Sequence, residues 1–246
     1  ISFTGGTKTG EHIARTASPM FKKLSLELGG KNPNIIFDDA DLANAVATSV
    51  KASFSNQGQI CLCGSRIYIQ ESLYNEFRDK FISAVAKLKV GDPKENDTNI
   101  GAVVSQAHFE KVLNHIEIAK EEGGQVLIGG QALKGEGRCA DGYFIAPTVI
   151  EGLQPNCLTN QDEIFGPVVT LNKFKTEEEV LALANNTKYG LSATIFTNDL
   201  KRAHRVAENI DAGIVWVNTW LLRDLRTPFG GVKNSGVGRE GGFEAL

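Results

Sequence analysis

The chain has 246 residues, 41% of them hydrophobic, with 26 Lys+Arg against 29 Asp+Glu and a net charge of −3. That balance excludes the strong basic field of a nucleic-acid or membrane-surface binder, and no apolar run approaches the roughly 20 residues of a membrane helix. Four cysteines in a chain this long exclude a disulfide scaffold and point to a reducing, cytoplasmic compartment.

The elements follow in chain order. Ile1 opens directly into "ISFTGG", an apolar strand ending in glycine, and the only methionine is Met20. An opening inside a strand predicts a fragment that lacks an amino-terminal portion. "KKLSLEL" (22–28) alternates Leu24, Leu26 and Leu28 at period two, and "NIIF" (34–37) is a second strand. Residues 41–54 read as a helix behind an acidic cap, followed by a strand at 66–70. Leu73, Phe77, Phe81 and Val85 recur at steps of four, one buried stripe of an amphipathic helix. A third helix is capped by Ser105 and stopped by Gly123 and Gly124. Strand 126–128, a polar loop over "GQALKGEGRCADG", and strands "YFIAPTVI" and "PVVTLNKF" come next. Thr176 and Glu179 make a capping box ahead of a helix. Strand "SATIF", helix "DLKRAHRVAENI" and strand "GIVWVN" complete the pattern, and "PFGGVKNSGVGREGG" (228–242) reads as a surface return. Strands separated by helices predict an α/β fold with a doubly wound, largely parallel sheet.

Two cysteines, Cys61 and Cys63, sit in "SFSNQGQICLCGSR". A metal would need two more ligands. The four histidines lie on predicted helix faces without convergent spacing, where they read as solvated or capping. A buried inert thiol is the common alternative. The polar, glycine-containing turn favours a nucleophile instead, since backbone N–H groups there lower a thiol's pKa and hold an oxyanion. Glu27, ending a strand before Gly29 and Gly30, is a candidate general base; a strand-end salt bridge is its bland alternative.

Taken together, "FTGG", "ELGGK", "NQGQIC", "EIFGPV" and "PFGGVKNSGVGRE" resemble, in order, the motif series of the NAD(P)-dependent aldehyde dehydrogenase superfamily. The likeness spans essentially the whole chain, and Glu27 and Cys61 keep that family's 34-residue interval from base to nucleophile. The resemblance implies NAD as cofactor, or NADP in its place, a small-molecule aldehyde as substrate and no metal. It also implies a homodimer or homotetramer with no nucleic-acid or membrane partner. Cys61 takes the nucleophile's place and Glu27 the base's. Gly5 and Gly6 match the turn whose helix N-terminus faces the dinucleotide diphosphate, although the family more often has Ser at the second position. Leu28 and Gly29 match positions lining the nicotinamide site. Glu163 matches the holder of the nicotinamide ribose, and Phe165 its packing neighbour. The implied domains are 1–29, the end of a Rossmann-like cofactor domain; 30–233, catalytic; and 234–246, a return segment. The family's oxyanion Asn and adenosine-binding Lys fall before Ile1, which implies that this chain alone is inactive.

The stretch "VNTWLLRDLRTPFGG" matches the family's substrate tunnel and holds Trp220, Arg223 and Arg226. Either both arginines pair on the surface with Asp224, or one clamps a substrate carboxylate. Arg223 falls on the substrate-lining position and Arg226 nearer the mouth. "WLLRDLR" is similar to the branch acting on 2-aminomuconic or 2-hydroxymuconic semialdehyde, which implies a carboxylated semialdehyde. Two rival functions stay open at this stage: a cysteine hydrolase or acyltransferase with a histidine base, and a lens-type structural protein on a dehydrogenase fold.

Overall fold

Period-two strands and amphipathic helices alternate along the chain, and the computed structural model, which describes residues 1–245, shows the result. Strand β1 (Ser2–Thr4) leads to helix α1 (Thr7–Ala17), then to β2 (Ser25–Glu27) and β3 (Asn32–Ile36). Helix α2 (Leu42–Phe54), strand β4 (Gly64–Gln70) and helices α3 (Tyr74–Val85) and α4 (Gln106–Glu121) follow. Next come β5 (Gln125–Ile128), β6 (Ala132–Leu133), β7 (Phe144–Ile145) and β8 (Thr148–Glu151). One-turn α5 (Leu158–Gln161), β9 (Val168–Phe174) and α6 (Glu177–Asn185) precede β10 (Tyr189–Gly190) and β11 (Ser192–Phe196). The chain continues through α7 (Leu200–Asn209), β12 (Ile214–Val217), β13 (Val232–Lys233) and β14 (Gly236–Val237).

Seven strands form the main sheet in the order β12-β11-β3-β4-β9-β8-β5. All pairings are parallel except that of the edge strand β5 with β8. The pleat sends neighbours to opposite faces. Ile36, Ile67 and Ile69 pack with Phe77 and Phe81 of α3, whereas Ile35 and Tyr68 pack with Val180 of α6 and Val206 of α7. Helices on both faces make the fold doubly wound, as the alternation predicts. The Phe77–Phe81–Val85 stripe is fully buried, and each such side chain contributes about 1.5–3 kcal/mol of transfer free energy. The helices start where capping side chains stand. Asp41 accepts from the Asn44 N–H, Ser105 from that of His108 and Thr176 from that of Glu179.

Three expectations need correction. The polar loop before Phe144 contains β6, paired antiparallel with β7, because Ala132 and Leu133 find partners across it. The single strand expected over 143–150 is two, β7 and β8, interrupted at Ala146 and Pro147. The 228–242 stretch is not a surface return. Gly230, Gly231, Ser235 and Gly236 are buried, β13 pairs with β10, and β14 pairs antiparallel with β2. Its glycines admit this threading. A Cβ on Gly236 would lie 2.3 Å from the Leu26 carbonyl oxygen. No helix among the described residues is long and apolar enough to cross a membrane.

Candidate active site

The nucleophile turn is built by three consecutive left-handed residues, Asn56, Gln57 and Gly58, with φ of 50°, 57° and 71°. Glycine is required at the third, where a Cβ would meet the Gly166 carbonyl oxygen at 2.1 Å. The amides of "NQGQ" hold this costly reversal. The Asn56 amide donates to the Gln59 carbonyl, Gln57 Oε1 accepts from the Gly101 N–H, and Gln59 Oε1 accepts from that of Val104. Beyond the turn, three successive carbonyls are tied down. Asn32 Nδ2 donates to those of Cys61 (2.7 Å) and Cys63 (2.9 Å), and Trp220 Nε1 to that of Leu62 (3.0 Å). The segment carrying Cys61, in the connection between α2 and β4, is therefore held by its carbonyls.

Glu27 ends β2, between β1 and β14. Its backbone is fixed by the Gly5 N–H, which donates to the Glu27 carbonyl at 3.0 Å, and the next residue's N–H donates to the Ser235 carbonyl. The residue is 3% exposed, and neither carboxylate oxygen has a hydrogen-bond partner among the described residues. Burial, reinforced by the nearby charge of Glu240 and opposed by Arg239 and Arg223, raises its pKa to about 7. Gly230 gives the carboxylate its room, since a Cβ there would lie 3.0 Å from Oε1.

Glu163 lies on the loop before β9. The Gly30 N–H donates to its Oε1 at 2.9 Å, and a Cβ on Gly29 would strike its Oε2 at 2.2 Å. Burial raises its pKa, while the Gly30 N–H and the charges of Lys111, Lys31 and Lys188 hold it down. At the other wall, Gly6 is the N-cap of α1 without a capping side chain, and open space surrounds it.

Gly5, Gly6, Glu27, Leu28, Gly29, Cys61, Glu163 and Phe165 line one cavity of about 380 Å³, a size typical of small-ligand sites. Its wall also contains His108 and Lys111 of α4, which sequence reasoning missed. The capping Ser105 sets both on one helical face, but nothing local says which loop that face meets. His108 is not merely solvated, as expected from sequence, because its Nε2 meets the Phe165 carbonyl at 2.6 Å. His115 is buried.

The Cys61 thiol departs from expectation. Burial, then the negative charges of Glu163 and Glu27, push its pKa up to about 11, although its own backbone N–H and Arg223 pull the other way. Backbone N–H groups and a nearby cation lower a thiol's pKa, but here burial and two carboxylates outweigh them. Cys63 is buried and pushed further, to about 12.

The two arginines separate. Arg226 pairs with Asp224 in the exposed loop. Arg223 has no ion pair among the described residues; its guanidinium stacks 4.1 Å over the Phe229 ring and reaches Glu27 and Cys61 electrostatically. Trp220, expected in the substrate tunnel, is buried in a cluster with Ala52, Leu62, Leu191, Trp216 and Phe229, its N–H already used, so it supports the Cys61 segment from below.

Known proteins resemble this chain in sequence and fold. The model of the aldehyde dehydrogenase family matches residues 1–246. A 2-aminomuconic semialdehyde dehydrogenase of Bos taurus is 50% identical over 98% of this chain and 50% of its own length. A 2-hydroxymuconic semialdehyde dehydrogenase of Pseudomonas sp. (strain CF600) is 44% identical over 100% of this chain and 51% of its own. A betaine aldehyde dehydrogenase structure from Staphylococcus aureus, in complex with NAD+, superimposes with a TM-score of 0.96 at 42% identity, covering 99% of this chain and 48% of that one. The chain thus spans about half the length of the curated relatives it matches, and it belongs to the aldehyde dehydrogenase family.

Proposed function

We propose that this chain supplies the nucleophile and general base of an NAD(P)-dependent aldehyde dehydrogenase acting on a carboxylated, unsaturated semialdehyde such as 2-aminomuconic or 2-hydroxymuconic semialdehyde. The observation that carries the reading is the shared cavity: Glu27, Cys61 and Glu163 converge there from β2, the α2–β4 connection and the β8–β9 connection respectively. The relative named above that is crystallised with NAD+ supports NAD, and NADP is the alternative form.

The residues fit a dinucleotide. The uncapped α1 N-terminus at Gly6 offers backbone N–H groups and a positive dipole end to a diphosphate. Glu163, held by Gly30, offers a carboxylate to ribose hydroxyls. Leu28, Gly29 and Phe165 offer an apolar wall to a nicotinamide ring. When bound, NAD(P)+ supplies the hydride acceptor.

The remaining work falls to the chain. Burial keeps the Cys61 proton on sulfur at rest, and that proton passes to solvent as the thiolate forms. The thiolate adds to the aldehyde carbon, and the Cys61 backbone N–H, lying against the sulfur, faces the resulting oxyanion. Loss of hydride from that adduct leaves a thioester. Glu27 then removes a proton from water, the hydroxide attacks the thioester carbon, the C–S bond breaks to release the acid, and the Glu27 proton passes to the leaving Cys61 sulfur, which resets both groups. A histidine-assisted hydrolase reading is weaker, because His108, the histidine lining the cavity, has its Nε2 engaged by the Phe165 carbonyl.

Arg223 is the proposed carboxylate clamp. Its guanidinium is stacked and has no ion pair among the described residues, whereas Arg226 is already paired with Asp224. In the full-length enzyme Arg223→Ala is expected to lower kcat/KM about 10²-fold, or about 2.7 kcal/mol, on a carboxylated aldehyde and leave a neutral aldehyde of similar size nearly unchanged. Equal losses on both would make Arg223 a structural residue. Because the chain spans half its relatives' length, we propose that the other half contributes the rest of the dinucleotide site, and that a cytoplasmic homodimer or homotetramer is the working form. The chain alone then forms no NADH.

A further inference from the structure

Phe165 is an aromatic residue in a conformation that side chains rarely adopt. Its φ is +60°, yet it is not glycine, and it stands in the wall of the cavity between Glu163 and Gly166. Left-handed backbone at a bulky residue persists only where surrounding contacts over-determine it. Besides Gly29, Gly30 and Gly58, one helix supplies those contacts. His108 Nε2 meets the Phe165 carbonyl at 2.6 Å, and the two rings lie edge to face with centroids 6.1 Å apart at 72°. One turn on, Lys111 Nζ donates to the Glu163 carbonyl at 2.9 Å. Val112 closes on Gly166 so tightly that a Cβ there would lie 2.6 Å from Val112 Cγ2. Thus α4 grips the segment 163–166 by two carbonyls and a packing contact.

A carbonyl only accepts, so Nε2 carries the hydrogen. Half-burial lowers the His108 pKa, which keeps the ring neutral and the donor in this one tautomer. We propose that His108 is a positioning residue for the cofactor: its Nε2–H fixes the left-handed Phe165 backbone, and through it holds the Phe165 ring and the Glu163 carboxylate at the spacing a nicotinamide riboside needs. The inference rests on the dehydrogenase reading above. It adds that a residue outside the catalytic motifs sets cofactor affinity. His108 does not act on the aldehyde and does not exchange a proton with Cys61.

The test uses the full-length protein and three substitutions. His108→Gln keeps an N–H donor at similar reach, His108→Leu keeps bulk without a donor, and His108→Asn keeps a donor one methylene too short. NAD+ binding is measured by calorimetry, alongside KM for NAD+ and kcat. Carbamidomethylation of Cys61 and thermal melting report that each variant is folded. His108→Leu and His108→Asn are expected to weaken NAD+ binding and raise its KM about tenfold, the scale of one ordinary hydrogen bond, with kcat within about threefold of the parent. His108→Gln is expected to restore binding to within about threefold. If His108→Leu binds NAD+ as tightly as the parent, or if Gln falls as far as Leu and Asn, the positioning role is overturned. Should Leu fail to fold, the comparison of Gln with Asn decides in the same way. If the parent itself binds no NAD+, it is the dehydrogenase reading that fails, and this one with it.

Discussion

Replacing Cys61 with alanine in the full-length enzyme is expected to reduce aldehyde-dependent NADH formation by about 10⁴-fold or more, because removing the nucleophile removes the covalent route and not merely a contact. No second thiol can substitute. Cys63 is only two residues away, but it is buried, its carbonyl is tied to Asn32, and its pKa stands at about 12. Cys139 and Cys157 lie outside the cavity wall. The substitution deletes a sulfur from a segment held by its carbonyls, so the fold and the Gly6 and Glu163 ends of the site should be retained. Equal NAD+ affinity in parent and variant, with turnover lost, is the expected pair of results. Substantial turnover in Cys61→Ala would leave the thioester route without a nucleophile.

Glu27→Gln is expected to lower steady-state turnover by about 10²–10⁴-fold while sparing a single round of hydride transfer. Two observations carry this. The carboxylate is buried and neither oxygen has a partner among the described residues, which fits a group kept for a water molecule and not for a structural ion pair. Its pKa is raised from the ordinary carboxylate value to about 7 by burial first and Glu240 second. The sign of the pH effect follows. The base form is deprotonated, so below pH 7 most enzyme lacks the base, and turnover limited by thioester hydrolysis rises with pH through about 7 and then levels off. In Glu27→Gln that inflection should vanish, and rapid mixing should show one NADH per site followed by a slow phase. Unchanged turnover, or an unshifted pH profile in the variant, would remove Glu27 from the mechanism.

Local chemistry carried much of this into the sequence. The i, i+4 stripe of Phe77, Phe81 and Val85 and the caps at Asp41, Ser105 and Thr176 depend on neighbours within a few residues, and the helices start and bury as those residues dictate. Parallel pairing was readable from alternation, but strand order was not, because β3 meets β11 across some 160 residues. The site divides in the same way. The Glu27 and Cys61 signals lie within short motifs. The grip of Gly30 on Glu163 spans 133 residues, and that of His108 on Phe165 spans 57, so no local pattern announces either. The Cys61 thiol was misjudged for a related reason: its environment is set by two distant carboxylates and by burial, and the flexible-looking amides of "NQGQ" are rigid staples. The last glycine-rich stretch looked like surface because glycine usually marks loops, whereas here its missing side chains let two backbones approach beside Glu27.

The central claim is that oxidation passes through a thioester on Cys61 that Glu27 then clears. It is tested most directly by mixing full-length Glu27→Gln enzyme with NAD+ and a carboxylated semialdehyde, quenching in acid within the first turnover, and mapping the modified peptide by mass spectrometry. The account predicts an acyl adduct on Cys61, close to one per active site and equal to the NADH formed. NADH formed without any adduct, or an adduct on Cys63, Cys139 or Cys157, would contradict it.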